Sequence, residues 1–327
     1  MKQLMAVITE EKKFSERFSD YVNGSGNLSL RAVPFGSIEE CVTYAKMHRE
    51  QRIPLMLCDE ALLREAGKYD LTGFRTVPLS DTGRGGTLSR YQSGDALVRE
   101  VISLCTDMKL DCLARRSVPD TGIYAVWSPV NTSARTAFSL ALTRLLSGRK
   151  KTLYLNFCEF PGLRLFTGTG YERGLSNAAY YLKQGKLDGQ RFAALAESIN
   201  GVEYVPPAFS PEDCGMLGSA DMAALVRLVS EETPYANVVT DLPFSLAASS
   251  DVLELSDRIF IPADKDPLCL IQTREFMEYL SASGRSDMAA KTVPVELPES
   301  LPAGGFQSVD SLIYGPAGDL IRKAVGL

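Results

Sequence analysis

Short apolar runs alternate along the chain with longer stretches in which apolar positions recur every three or four residues. The runs read as strands buried on both faces, and the longer stretches as amphipathic helices. LMAVIT, from Leu4, is the first strand, and FSERFSDYVNG is a helix ending at Gly24. LSLRAVPF is the second strand. SIEECVTYAKMHREQ is a helix opened by Ser37 as N-cap, with Glu40 at capping-box spacing behind it. IPLMLCD, nearly all apolar, suits the buried centre of a parallel sheet. The helix EALLREAG, the strands FRTVPLS and TLSRY, and the helix GDALVREVISLCTDM complete the series.

This series predicts five βα units and a flavodoxin-like α/β domain over residues 1–107. KLDCLARRSVPDTG then brings charges, a proline and a glycine, so 108–120 reads as a linker. The alternation restarts with the strand IYAVWS, the helix TSARTAFSLALTRLLSG and the strand TLYLNFCEF. A polar, glycine-rich region follows. Next come the short strand GVEYVPPA, the helix SADMAALVRLVSEETP, the strands NVVTDLP and SDRIFIPAD, the helix PLCLIQTREFMEYL and the strand KTVPVELP. VDSLIYGPAGDLIRKAVGL closes the chain. Residues 121–327 therefore form a second doubly wound α/β domain.

With 327 residues, 45% of them hydrophobic and 23% charged, the chain can bury a core in each domain. A net charge of −5 argues against a broad nucleic-acid-binding surface, and no nucleic-acid partner is expected. No stretch reaches the ~18 apolar residues of a membrane span. The opening MKQLMAVITEEKKF lacks the long apolar core and cleavage site of a signal peptide. The expected location is the cytoplasm, with membrane contact at most peripheral. Such contact would use the C-terminal DLIRKAVGL, which suits either a membrane-surface helix or one that closes the domain. Seven cysteines, none in a CxxC pair, read as reduced core thiols. The one histidine, His48, sits in the charged stretch YAKMHREQR and reads as a solvated helix residue. That argues against Ser-His-Asp or Cys-His chemistry and a histidine-rich metal site.

The informative segment is YAVWSPVNTSARTAF, where a strand runs into a helix. Helix N-termini at such junctions present free N–H groups and partial positive charge to phosphates. Arg135 and Thr136 stand where a phosphate loop has its Lys and Ser/Thr. The segment resembles the deviant phosphate loop of the MinD/ParA ATPases, roughly S-G-K-G-G-V-G-K-T. Against that pattern Ser128 keeps the serine, Pro129 replaces the first glycine, and Val130 replaces the signature lysine that reaches a dimer partner's phosphates. Asn131 and Thr132 replace the glycine pair, Ser133 stands for valine and Ala134 for the last glycine. Arg135 replaces the second lysine, and Thr136 keeps the magnesium-binding hydroxyl. Glycines let backbone approach phosphates, and arginine's wide fork is not equivalent to a compact ammonium. The family's D-x-D strand end becomes Asn156 and Cys158, with Glu159 adjacent, while its D-x-P survives as Asp241 and Pro243.

The resemblance implies a doubly wound MinD/ParA-type P-loop NTPase fold for 121–327, with ATP and Mg2+ as cofactors. Asn131, Thr132, Ser133, Ala134, Arg135, Thr136 and Ala137 would surround the phosphates, and Thr136 and Asp241 would hold the metal. The altered loop implies weak or absent hydrolysis, and it leaves both retention and loss of nucleotide open. A turn ending in an ordinary N-cap at Ser133 or Thr132 also accounts for the segment.

The first domain resembles a response-regulator receiver. Asp59 follows the third strand at the phosphoacceptor position, Glu10 and Glu11 follow the first strand, and Ser80 follows FRTVPL. The last strand offers Arg90 and no lysine, so a receiver-like scaffold for protein contacts is the alternative to phosphorylation. A degenerate receiver ahead of a degenerate MinD/ParA-type domain resembles the TadZ/CpaE group, localisation factors of tight-adherence (type IV-like) pilus assembly. That resemblance implies a cytoplasmic, polar scaffold, homodimeric through the second domain, with pilus or secretion machinery as partners. An active positioning ATPase and a regulatory binding module unrelated to pili are the competing readings. GRGG at 83–86 and the segment 162–174 read as surface loops, and Trp127 as strand packing.

Overall fold

In a computed structural model of the chain, the apolar runs lie side by side in two sheets. The structure describes residues 3–25, 28–48, 51–83, 87–110, 112, 121–130, 133–167, 173–263, 265–297, 309–314 and 316–326. The chain divides into two units. The first is Met1–Arg115 with Gly189–Ala194, and the second is Arg116–Asp188 with Leu195–Leu327.

The first unit runs β1 (Leu4–Ile8), α1 (Lys12–Ser25), β2 (Arg31–Phe35), α2 (Ile38–Met47), β3 (Leu55–Asp59), α3 (Glu60–Leu63), β4 (Arg75–Ser80), β5 (Leu88–Ser89) and α4 (Gly94–Asp107). Its strands are parallel in the order β2-β1-β3-β4-β5, the order of flavodoxin-like sheets. Alternation along β1 and β3 splits the core in two. Met5, Val7, Leu55 and Leu57 face Phe18 and Val22 of α1 and Val98, Val101 and Ile102 of α4. Leu4, Ala6, Ile8, Met56 and Cys58 face Ile38, Cys41 and Val42 of α2. Ser37 caps α2 by accepting from the Glu40 N–H, while the Glu40 carboxylate reaches the Gly36 N–H one residue before the cap. His48 is half-buried instead of solvated: it caps the end of α2, its ring stacked on Tyr44. Among the described residues no helix joins β4 to β5, so the fifth unit is a two-residue strand on a short connection.

The second unit runs β6 (Gly122–Val126), α5 (Ser133–Ser147), β7 (Thr152–Asn156), α6 (Arg164–Thr167) and α7 (Leu175–Lys183). The segment α8 (Gly189–Ala193), which packs in the first unit, interrupts it. It resumes with β8 (Glu197–Ile199), β9 (Val202–Val205), α9 (Pro211–Gly215), α10 (Ser219–Glu232), β10 (Asn237–Asp241), α11 (Leu246–Leu255), β11 (Arg258–Ala263), α12 (Pro267–Ala282), α13 (Ser286–Ala290), β12 (Thr292–Glu296), α14 (Val309–Ile313) and α15 (Pro316–Val325). Its sheet has the order β12-β11-β6-β10-β7-β9-β8, parallel except for β8 against β9. Phe138, Ala141 and Leu142 of α5 pack on Val126, Tyr154, Val239 and Phe260 of four neighbouring strands. Ile321 of α15 is buried in the same cluster. All seven cysteines are buried, and none is in a disulfide. Among the described residues, no helix is long and apolar enough to cross a membrane.

Candidate functional site

Register sets the site in the second unit. Val126, Asp241 and Asn156 lie abreast at the carboxyl ends of β6, β10 and β7, the edge at which open α/β sheets bind ligands. Tyr154, two residues before Asn156, shares its face. The chain leaves β6 through Trp127 and Ser128 and enters α5, which presents Arg135 and Thr136 in its first turn. Asn131 and Thr132 lie outside the described residues, and Ser133 and Ala134 open the helix. Ala137 is buried in the core.

Arg135, Thr136 and Asp241 are brought together, and they bind one another. Arg135 Nε donates to Asp241 Oδ1 at 2.8 Å, and its Nη2 donates to Cys158 Sγ at 3.0 Å. Asp241 Oδ2 accepts from Thr136 Oγ1 at 2.7 Å, from Asn156 Nδ2 at 2.9 Å and from the Tyr154 hydroxyl at 3.0 Å. Asn156 Nδ2 also donates to the Tyr154 hydroxyl at 2.8 Å, and its Oδ1 accepts from the Cys158 N–H. Asp241 is 0% exposed and Arg135 5%. The ion pair is therefore screened little by solvent, and its bonds are of the strong, charge-assisted kind.

Burial works against the Arg135 charge, but Asp241, with Cys158 behind it, more than offsets this and holds the guanidinium above its ordinary range. Burial and then the Asp241 charge push the Cys158 thiol and the Tyr154 hydroxyl well above theirs. Both stay neutral, so one cation faces one anion. At this site two buried donors, Arg135 Nη1 and Trp127 Nε1, have no hydrogen-bond partner among the described residues.

The residues present do not fit a divalent cation. Magnesium needs oxygen lone pairs in near-octahedral array at about 2.0–2.1 Å. Here Asp241 spends Oδ1 on a guanidinium and Oδ2 on three donors, and Arg135 already supplies the positive charge beside it. Among the described residues no group of three or more His, Cys, Asp or Glu could hold a metal. Sequence reading reached Arg135, Thr136, Asn156, Cys158 and Asp241 but not Tyr154, because a tyrosine inside an apolar strand reads as core. Its signal was its place two residues before the altered acidic position.

Beyond the pair, the same sheet edge is apolar. Phe160 follows β7, Phe209 follows β9, Phe244 follows β10, and Leu268 and Ile271 lie on α12 after β11; all are exposed.

The first unit has a 660 Å³ cavity at its own carboxyl edge, lined by Glu10, Glu11, Asp59, Ser80, Asp81 and Arg90 among others. Asp59 is 4% exposed. Its Oδ2 accepts from Thr9 Oγ1 at 2.6 Å and from the Glu10 N–H at 3.0 Å, and Arg90 Nη1 lies 3.3 Å from Oδ1. Arg90 thus stands over the Asp59 carboxylate. Ser80 is turned to Thr87 and to the Gly83 N–H.

No protein-family model and no curated protein matches the chain. Solved structures to which it is similar include ATPases of the ParA and MinD kind. A ParA family ATPase from Chlorobium tepidum TLS is 12% identical, with a TM-score of 0.48 over 64% of this chain and 81% of that one. The cell division ATPase MinD of Pyrococcus furiosus is 13% identical, with a TM-score of 0.42 over 60% and 80%. Cobyrinic acid a,c-diamide synthase from Mycobacterium smegmatis, with bound ATP analogue and magnesium, is 15% identical, with a TM-score of 0.43 over 54% and 72%.

Proposed function

We propose that this chain is a non-hydrolysing scaffold, a localisation factor of a tight-adherence pilus or secretion system resembling TadZ/CpaE. Its second unit keeps the frame of a P-loop ATPase while the catalytic position is closed from within. One observation carries the reading: the Asp241 carboxylate, which would serve magnesium, is fully engaged by Arg135, Thr136, Tyr154 and Asn156. Hydrolysis would need that carboxylate free, and would also need an acid where Asn156 and Cys158 now stand. The exposed Phe160, Phe209 and Phe244 support a protein-facing edge, and with it homodimerisation through this unit. The pilus assignment rests on the order of the two α/β units and on the resemblance of their motifs.

Titration calorimetry with magnesium-ATP tests the closed site. Wild-type protein should give no saturable heat at millimolar nucleotide, and a swap of the pair for apolar residues (Arg135→Met with Asp241→Leu) should still support pilus assembly. Saturable binding by wild type that vanishes in Arg135→Ala would overturn the reading. It would favour a nucleotide-gated positioning ATPase, for which the one supporting observation is the unpartnered Arg135 Nη1 at the start of α5.

A further inference from the structure

The first unit is discontinuous. Its last helix, α4, ends in a complete Schellman turn: Leu110 N–H donates to Cys105 O at 2.8 Å, Lys109 N–H donates to Thr106 O at 3.0 Å, and Lys109 takes φ 54°. A lysine there bears the left-handed conformation that glycine adopts freely, so the turn needs outside support. Gln190 supplies it from 80 residues further along the chain. Its Nε2 donates to Thr106 Oγ1 at 2.9 Å and to Leu110 O at 3.0 Å, with Ile102 O at 3.4 Å. Its Oε1 accepts from the Cys112 N–H at 3.0 Å. One side-chain amide therefore ties the last turn of α4 to Cys112, five residues beyond the helix. Beside it, Ala193 and Ala194 pack into the cluster holding Val101, Cys105 and Cys112. The flanking residues, Asp188 and Leu195, belong to the second unit.

We propose that Gly189–Ala194 is a latch, with Gln190 as its bolt: a strap delivered by the connection between α7 and β8 that closes on the exit of α4 and seals that side of the first unit's core. Displacement of that connection reaches α4 through Gln190, and the open latch exposes apolar surface around Cys105 and Cys112. The inference is independent of whether nucleotide binds.

The buried thiols make the test. Full-length protein is treated with iodoacetamide under native conditions, and labelling is followed cysteine by cysteine by peptide mass spectrometry. Gln190→Ala removes the bolt, and Gln190→Met keeps its bulk while removing its hydrogen bonds. Both variants should label Cys105 and Cys112 several-fold faster than wild type, with Cys41, Cys58, Cys158, Cys214 and Cys269 unchanged. Unchanged labelling at Cys105 and Cys112 in both variants would overturn the latch. A parallel rise at all seven cysteines would overturn it too, because it would make Gln190 a general support of the fold.

Discussion

A guanidinium placed where a compact ammonium is expected changes what the neighbouring carboxylate can do. Arg135 reaches Asp241 at 2.8 Å, with both side chains buried. Removing one member of such a pair strands the other charge, which typically costs about 3–5 kcal/mol, whereas replacing both with apolar groups is close to neutral. Arg135→Ala and Asp241→Asn should each lower stability by roughly that amount, and Arg135→Met with Asp241→Leu by much less. Urea midpoints of the three variants check this, and equal losses in the double variant would show that the pair does not act as one unit. Other residues respond to alkali. Burial, with the adjacent Glu40 and Asp59 charges behind it, pushes the Cys41 and Cys58 thiols from 9.0 up to about 12. The folded chain holds these protons more tightly than the unfolded one. Their contribution is therefore full below pH 9 and is lost as pH rises toward 12. The circular-dichroism melting point should fall across that window, and Cys41→Ala with Cys58→Ala should flatten the fall.

Elements differ in how openly the chain announces them. β1, β3 and β10 are buried along their whole length and stand out as apolar runs. The start of α2 is equally legible, because a serine followed three residues later by a glutamate has few other meanings. Ser37→Ala should cost about 1 kcal/mol, seen as a shift in denaturant midpoint, and Gly36 should lose exchange protection if Glu40 is also removed. By contrast α6, α7, α8, α9, α11, α13 and β8 are not announced by the sequence. α11 is rich in alanine and serine, so its apolar stripe is faint, and its clearest signal is Ser245, which caps it by accepting from the Ala248 N–H. β8 is three residues long and has no apolar run of its own; it exists by pairing with β9. The site was half visible for the same reason. Arg135 and Asp241 are each readable from local context, but their bond joins residues 106 apart and follows from the register of β6 and β10.

At the scale of the whole molecule, two α/β units with separate cores should report separately. The single tryptophan, Trp127, is 2% exposed and packs on Phe276 in the second unit. Its fluorescence midpoint in urea should move with Asp241→Asn and stay put with Cys41→Ala, while Cys41→Ala alone should shift a transition seen by circular dichroism and not by tryptophan. A common shift in both signals would show the units melting as one. The buried pair also sets a history. Any single change that removes the charge of Arg135 or of Asp241 alone passes through a form weakened by several kcal/mol. The pair works as a ratchet, and among descendants of this chain the charges at positions 135 and 241 should be lost together or not at all.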